Sequence, residues 1–250
     1  SNKRHLLKAE FKNYLLNGGF PKAVIAKPES QKKELLETYF RDIIVKDIVK
    51  RFKIKEINKI EDLAKYYLTN VSTLQSFNNI KNVLKLNLDT VERFSYYLTS
   101  AFLLNFVKKF SYSEKEQLLN PRKVYCADNG LRNSVAFVFS EDYGRLAENI
   151  VFNSLNKEGR EIYYWKNQKQ EETDFIIKKK QKVFEAVQVC WDIEKKETEE
   201  REIKGLIAAC KELNLKEGLI LTEDTEKREK IEGVKITFTP VWKWLLGGKK

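Results

Sequence analysis

The sequence has no methionine, one histidine and three cysteines in 250 residues. Each scarcity removes a class of chemistry. His5 is the sole imidazole and stands next to the N-terminal end, so a Ser–His–Asp triad, a Cys–His dyad or a histidine-ligated metal would have to rest on it. Cys126, Cys190 and Cys210 are far apart, odd in number and form no CxxC pair. That pattern argues against a zinc knuckle or a disulfide framework and for reduced, buried thiols in a cytoplasmic protein. No GxxxxGK[ST] stretch is present, so a phosphate-cradling loop is excluded. No apolar run approaches the roughly 18–20 residues that span a bilayer, and the opening SNKRHLLKAEF is too polar for a secretory signal, so no membrane association is expected. Ser1-Asn2 begins the chain without an initiator Met, and a piece of a longer protein is expected.

What is present is charge and enough apolar residue for two cores. At 42% hydrophobic and 33% charged, 250 residues suffice for two ordinary domains. Lys and Arg number 47 against 36 Asp and Glu, a net charge of +11 that favours an anionic partner, nucleic acid first. The bland alternative is a Lys/Glu-rich surface of the kind found in thermophiles.

Along the chain, LLKAEFKNYLLNGGFPKAVI (6–25) predicts a helix stopped by Gly18-Gly19 and Pro21. A long amphipathic helix follows, with Leu35, Leu36, Tyr39, Phe40, Ile43, Ile44 and Ile48 at three- and four-residue steps. Three helices are predicted next: residues 60–71, a second entered from Ser72 or Ser76, and a third capped by Asp89 with Glu92 as capping-box partner. FLLNFVKKF (102–110) and PRKVYCAD (121–128) read as a strand hairpin. Three helices and a hairpin is the order of a winged helix-turn-helix. Between residues 41 and 123 there are 16 Lys and Arg against 9 Asp and Glu. Lys108, Lys109, Arg122 and Lys123 lie on the hairpin strands, where a wing would grip phosphates. Against this, the third helix carries Glu92, Arg93, Tyr96 and Tyr97, a poor basic face, and winged helices also dock proteins.

The remainder begins with the helix YGRLAENIVFNSLNKEG, ended by Gly159. EIYYWK, TDFIIK and KVFEAVQVCW follow as strands, then the helix ETEEREIKGLIAACKELNL, the apolar and central strand EGLILTED, the strand VKITFTP and a closing helix VWKWLL. The order α-β-β-β-α-β predicts a mixed sheet flanked by helices. With Glu148 on the first helix, Asp174 on the second strand and a polar pair on the third, it resembles the PD-(D/E)xK, restriction-endonuclease-like fold. The fold class expected for the whole chain is therefore a helical winged-helix domain followed by an α/β nuclease-like domain.

YLLNGGFPKAV, ETYFRDIIVKDIVKRF, KVYCADNGLRN, GRLAENIVFNSL, TDFII and AVQVCWD also resemble, by their order, the C-terminal half of archaeal and bacterial AAA-type ATPases. The resemblance implies residues 1–45 as a joint after an ATPase domain, 46–138 as the winged helix and 139–250 as the nuclease-like domain. ATP would belong to that missing ATPase domain, itself an expected partner, and this part would need no cofactor of its own.

A nuclease core of this type uses carboxylates to hold Mg²⁺, which activates a water, and a lysine that stabilises charge. The matching positions carry Asp174, then Gln188 where a second acid is wanted and Cys190 where the lysine is wanted. Alternation puts 186, 188 and 190 on one strand face and 185, 187 and 189 on the other, so Glu185 rejoins the site only through a bulge. Lys178 or Lys180 reaches in from the turn or is a solvated hairpin tip. Glu148 reads equally as a helical ion pair or as a metal ligand beside Asp174. The expectation is a nuclease-like scaffold with little hydrolytic activity, retained to bind nucleic acid or a partner. The alternatives are an active Mg²⁺-dependent nuclease and a protein-docking module.

Overall fold

The computed structural model describes residues 2–137 and 142–247. The chain divides into two compact units, Ser1–Phe106 with Pro121–Asn149, and Val107–Asn120 with Ile150–Lys250. The break expected at 138/139 lies outside the described residues.

The first unit is mainly helical. Helix α1 (Asn2–Asn17) ends where Gly18 takes a left-handed φ of +72°, and α2 (Pro21–Ile25) restarts on Pro21, whose missing N–H costs nothing at a helix start. The predicted long helix is α3 (Glu29–Asp42), which continues as a π-helical stretch (Ile43–Val49) and α4 (Lys50–Phe52). Phe40, Ile44 and Ile48 stay on its buried side. Helix α5 (Ile57–Thr69) buries Ile60, Leu63, Ala64, Tyr67 and Leu68, the stripe that a 3.6-residue period places on one face. Truncating a fully buried leucine such as Leu63 to alanine costs about 2–5 kcal/mol.

After α5 comes a two-residue strand that periodicity missed, β1 (Leu74–Gln75), then α6 (Phe77–Leu84) and α7 (Leu88–Ser100). Helix α7 corrects the predicted capping box. Asn87 occupies the cap position without a side-chain bond, and Asp89 sits in the first turn, paired to Arg93 at 3.0 Å. Strands β2 (Leu104–Val107) and β3 (Arg122–Cys126) form the hairpin, and their connection carries a short helix α8 (Glu114–Leu119). The sheet order is β1-β3-β2, with β1 antiparallel to β3. Residues 129–135 form α9 (Asn129–Val135), because Asp128 caps it by accepting the Leu131 N–H at 2.9 Å. Helix α10 (Tyr143–Lys157) follows.

The second unit holds a six-stranded mixed sheet of order β4-β5-β6-β7-β9-β8. Its strands are β4 (Glu161–Lys166), β5 (Glu172–Lys179), β6 (Lys182–Cys190), β7 (Glu217–Thr222), β8 (Lys227–Ile231) and β9 (Val234–Pro240), with α11 (Lys196–Glu212) between β6 and β7 and α12 (Val241–Leu245) at the end. β5 runs antiparallel to both β4 and β6, whereas β6, β7 and β9 run parallel, which is why the 17-residue α11 must carry the chain back across the sheet. β8 was not anticipated: KREKI lacks an apolar face because it is an edge strand, where charge protects against stray pairing. At the opposite edge, the Tyr164 N–H donates to Lys108 O at 3.1 Å and the Phe110 N–H to Tyr164 O at 2.6 Å.

Helix α11 lies close on the sheet. A Cβ on Gly205 would come within 2.3 Å of the Glu172 carbonyl oxygen, so only glycine fits. Leu206, Ile207, Ala209 and Cys210 of α11 share one core with Ile176, Ala186, Cys190, Ile220 and Phe238 of the sheet. That core fixes which strand positions face the helix.

Candidate functional site

Asp174, Gln188 and Cys190 have the strand parity of Ile176 and Ala186, so they stand on the sheet face that carries α11. All three are buried. The β5–β6 pairing runs up to Phe175↔Val187, and beyond it side chains take over the bonding. The Asp174 N–H donates to Gln188 Oε1 at 3.0 Å, and the Val189 N–H donates to Asp174 Oδ2 at 2.9 Å. Gln188 Nε2 in turn donates to Glu202 Oε2, and Arg201 Nη2 donates to Glu202 Oε1 at 2.6 Å. The amide thus has its oxygen on a backbone N–H and its nitrogen on a carboxylate, and is bonded at both ends.

Cys190 carries no charge. Burial pushes its thiol up to about 12, and Glu202 and Asp174 add to the rise by opposing a thiolate. Glu202 and Arg201 were missed by sequence reading. The signal was there: Glu202 stands one turn before Leu206 and two before Cys210, in line with the buried stripe of α11.

The bulge that was to bring Glu185 into this cluster exists but lies on the wrong side of it. The register slips between Ile177↔Glu185 and Lys178↔Val183, leaving Phe184 without a partner. From Glu185 to Val187 pairing is regular, so Glu185 keeps the face opposite Gln188 and bonds Arg160 Nη1 at 3.1 Å. Lys178 pairs with Glu161 at 3.6 Å, and Lys180 sits at the hairpin tip.

Glu148 is built into the first unit. Its Oε1 accepts the Tyr125 hydroxyl at 2.7 Å and Lys123 Nζ at 3.2 Å, and the lysine side chain is only 3% exposed. Lys123, expected on the surface of a wing, is therefore buried in an ion pair. Arg122 lies over the Phe77 ring at 5.0 Å. Lys108 and Lys109 belong to the second unit, so the four cations do not share one unit.

The other family-like motifs meet in a second polar network of the first unit. Asn129 Nδ2 donates to Leu15 O and Leu146 O at 2.9 and 3.0 Å. Asn149 exchanges bonds with the Cys126 backbone in both directions and donates to Asn129 Oδ1 at 2.9 Å. Asp128 accepts the Gly19 N–H at 2.7 Å, and a Cβ on Gly18 would lie 2.0 Å from Asp128 Oδ1. ADNGLRN and NGG are thus complementary parts of one joint, with each buried amide satisfied.

Among the described residues no group of three or more His, Cys, Asp or Glu side chains is placed to hold a metal ion. No helix among them is long and apolar enough to cross a membrane. Residues 143–244 match the domain of unknown function DUF4143. An uncharacterised protein of Methanocaldococcus jannaschii is 32% identical over 260 residues, covering 96% of this chain. An uncharacterised protein of Haemophilus influenzae is 27% identical over 241 residues, covering 94%. The chain spans 57% of the length of each. No solved structure matches. Residues 8–142, more than half of the chain, match the domain of unknown function DUF8612, and the chain belongs to that family.

Proposed function

We propose that the chain is a non-hydrolytic accessory region of an AAA-type ATPase, a winged helix joined to a PD-(D/E)xK-like domain that works by binding rather than by cutting. The observation that carries this reading is the closed hydrogen-bond circuit Val189–Asp174–Gln188–Glu202. A hard divalent cation takes six or more oxygen ligands, mostly carboxylates and waters. Here the amide oxygen is on a backbone N–H, the neighbouring thiol is neutral and the Asp174 carboxylate accepts a backbone N–H. The residues present do not fit such an ion, and no lysine stands at the position where one would stabilise the transition state.

The β1-β3-β2 order, with β1 between α5 and α6, supports the winged-helix reading. The α-β-β-β-α-β order supports the nuclease-like one. DUF4143 is typically associated with C-terminal regions of AAA-type ATPases, and both relatives are longer than this chain, which supports the ATPase context. For the winged helix, protein docking is favoured over duplex DNA. The exposed face of α7 carries Asp89, Glu92, Arg93 and Tyr96, and Arg93 is already paired with Asp89, so it offers phosphates no net attraction.

Incubation of the purified chain with labelled single- and double-stranded DNA and RNA in Mg²⁺ or Mn²⁺ tests the reading. Intact substrates are expected. Cleavage that disappears in Asp174→Ala overturns it. Association with the separately expressed ATPase half, weakened by Tyr96→Ala, is expected for the docking role.

A further inference from the structure

The hairpin tip of β5 and β6 borders an open cavity of about 670 Å³ in the second unit, remote along the strand from Asp174. This volume falls within the range of small-molecule and nucleotide sites. Its floor is Ile177, only 2% exposed, and its wall includes Phe184, which is 63% exposed. Phe184 is the bulged residue, and bulges re-aim side chains.

The cavity's charge is one-sided after pairing. Arg160 is engaged by Glu158 at 2.7 Å and Glu185 at 3.1 Å, and Lys178 by Glu161 at 3.6 Å. Lys179 and Lys180 also line it, and among the described residues neither makes an ion pair. Lys179 stands directly across the ladder from Lys182, a like-charge pair that weakens a hairpin. Two features that work against folding, an exposed phenyl ring and facing lysines, thus meet at one cavity.

We propose that this cavity binds single-stranded nucleic acid, one unpaired base stacking on Phe184 while Lys179 and Lys180 hold the flanking phosphates. Aromatic rings beside a basic rim take up unpaired bases whatever their sequence, because every base has a π-face. A duplex keeps its bases stacked internally and presents the ring with no face to cover. An acidic peptide would meet the lysines but has no group that needs Phe184. The inference does not rest on the non-hydrolytic reading: cleavage of substrate would sink that reading and leave this one standing.

The test is fluorescence anisotropy of labelled oligothymidylate, and of a duplex of equal length, titrated with the 250-residue chain at low ionic strength in EDTA, so that hydrolysis plays no part. The single strand is expected to bind more tightly. Phe184→Ala should weaken it at least about fivefold while leaving the duplex nearly unchanged. Lys179→Glu with Lys180→Glu should weaken it at least about tenfold and flatten its salt dependence. Arg228→Glu with Lys230→Glu, the same charge change on exposed β8 positions, should alter it far less. Equal losses in the two double variants would mean general electrostatics and overturn the site. So would absence of binding at low salt, or competition by polyglutamate as strong as by oligothymidylate. All altered side chains are exposed, and thermal melts check that each variant folds. Photo-crosslinking of bromodeoxyuridine strands to the peptide holding Phe184 gives an independent readout, and crosslinks only elsewhere would also contradict the proposal.

Discussion

The two ends of the β5–β6 hairpin differ in nearly every physical respect. At one end Asp174, Gln188 and Cys190 are buried, uncharged or hydrogen-bonded to the backbone, and closed off by Glu202 of α11. At the other, Lys178–Lys180 and Phe184 stand around an open cavity with charge to spare. The residues that look like chemistry in the sequence have their polar atoms bonded to one another, to the backbone and to α11, while those that look like an ordinary solvated turn border the open cavity. Glu148 in the first unit belongs with the closed end in character: an acid that reads as a ligand and is paired internally.

That contrast can be broken or sharpened by substitution. The largest expected effect is at Glu148. Glu148→Ala leaves the Lys123 ammonium buried without its carboxylate, and about 3–5 kcal/mol of stability should be lost in denaturant unfolding. A loss below about 1 kcal/mol would place Glu148 with the solvated residues.

The next is alkaline stability. Burial pushes the Cys190 thiol up to about 12 in the folded chain, from an ordinary value of 9.0. Its contribution is fully present below pH 9 and is lost as pH rises toward 12, because the unfolded state releases the proton first. Cys190→Ala should therefore lose less stability than the parent between pH 9 and 11, by about 2–3 kcal/mol. Parallel pH profiles would mean that the thiol is open to solvent.

Gln188→Glu should cost about 1–3 kcal/mol at neutral pH, since it sets a third carboxylate against Asp174 and Glu202 and removes the donor to Glu202. The new group's pKa is raised by its neighbours, so the deficit should fade as pH falls through that raised value and be gone near the ordinary carboxylate value of about 4. A deficit that grows in acid would contradict the crowding of charge. Smallest of all, Lys179→Glu with Lys180→Glu should change stability by no more than about 0.5 kcal/mol. A larger loss would give the hairpin tip a structural role.

Much of the second unit was legible because its apolar strands and the stripe of α11 carry their periods openly. The edge strand β8 was not, since edge strands replace apolar alternation with charge. In the first unit β1 is too short for any period, and α9 has only seven residues, with a cap, Asp128, that also bonds Gly19 across 109 residues. At the site, strand parity correctly separated Glu185 from Gln188 and Cys190. What it lacked was the partner for each polar atom. Lys123 on Glu148 and Glu202 on Gln188 are tertiary pairings, and no local pattern encodes a partner on another element.

The most direct test of the closed Asp174 site is calorimetric titration of the chain with Mn²⁺ at neutral pH, beside Asp174→Ala. The circuit of bonds around Asp174 predicts no saturable heat that distinguishes the two proteins. A stoichiometric binding isotherm in the parent that vanishes in Asp174→Ala would contradict it, because the carboxylate would then have to leave the Val189 N–H for a metal.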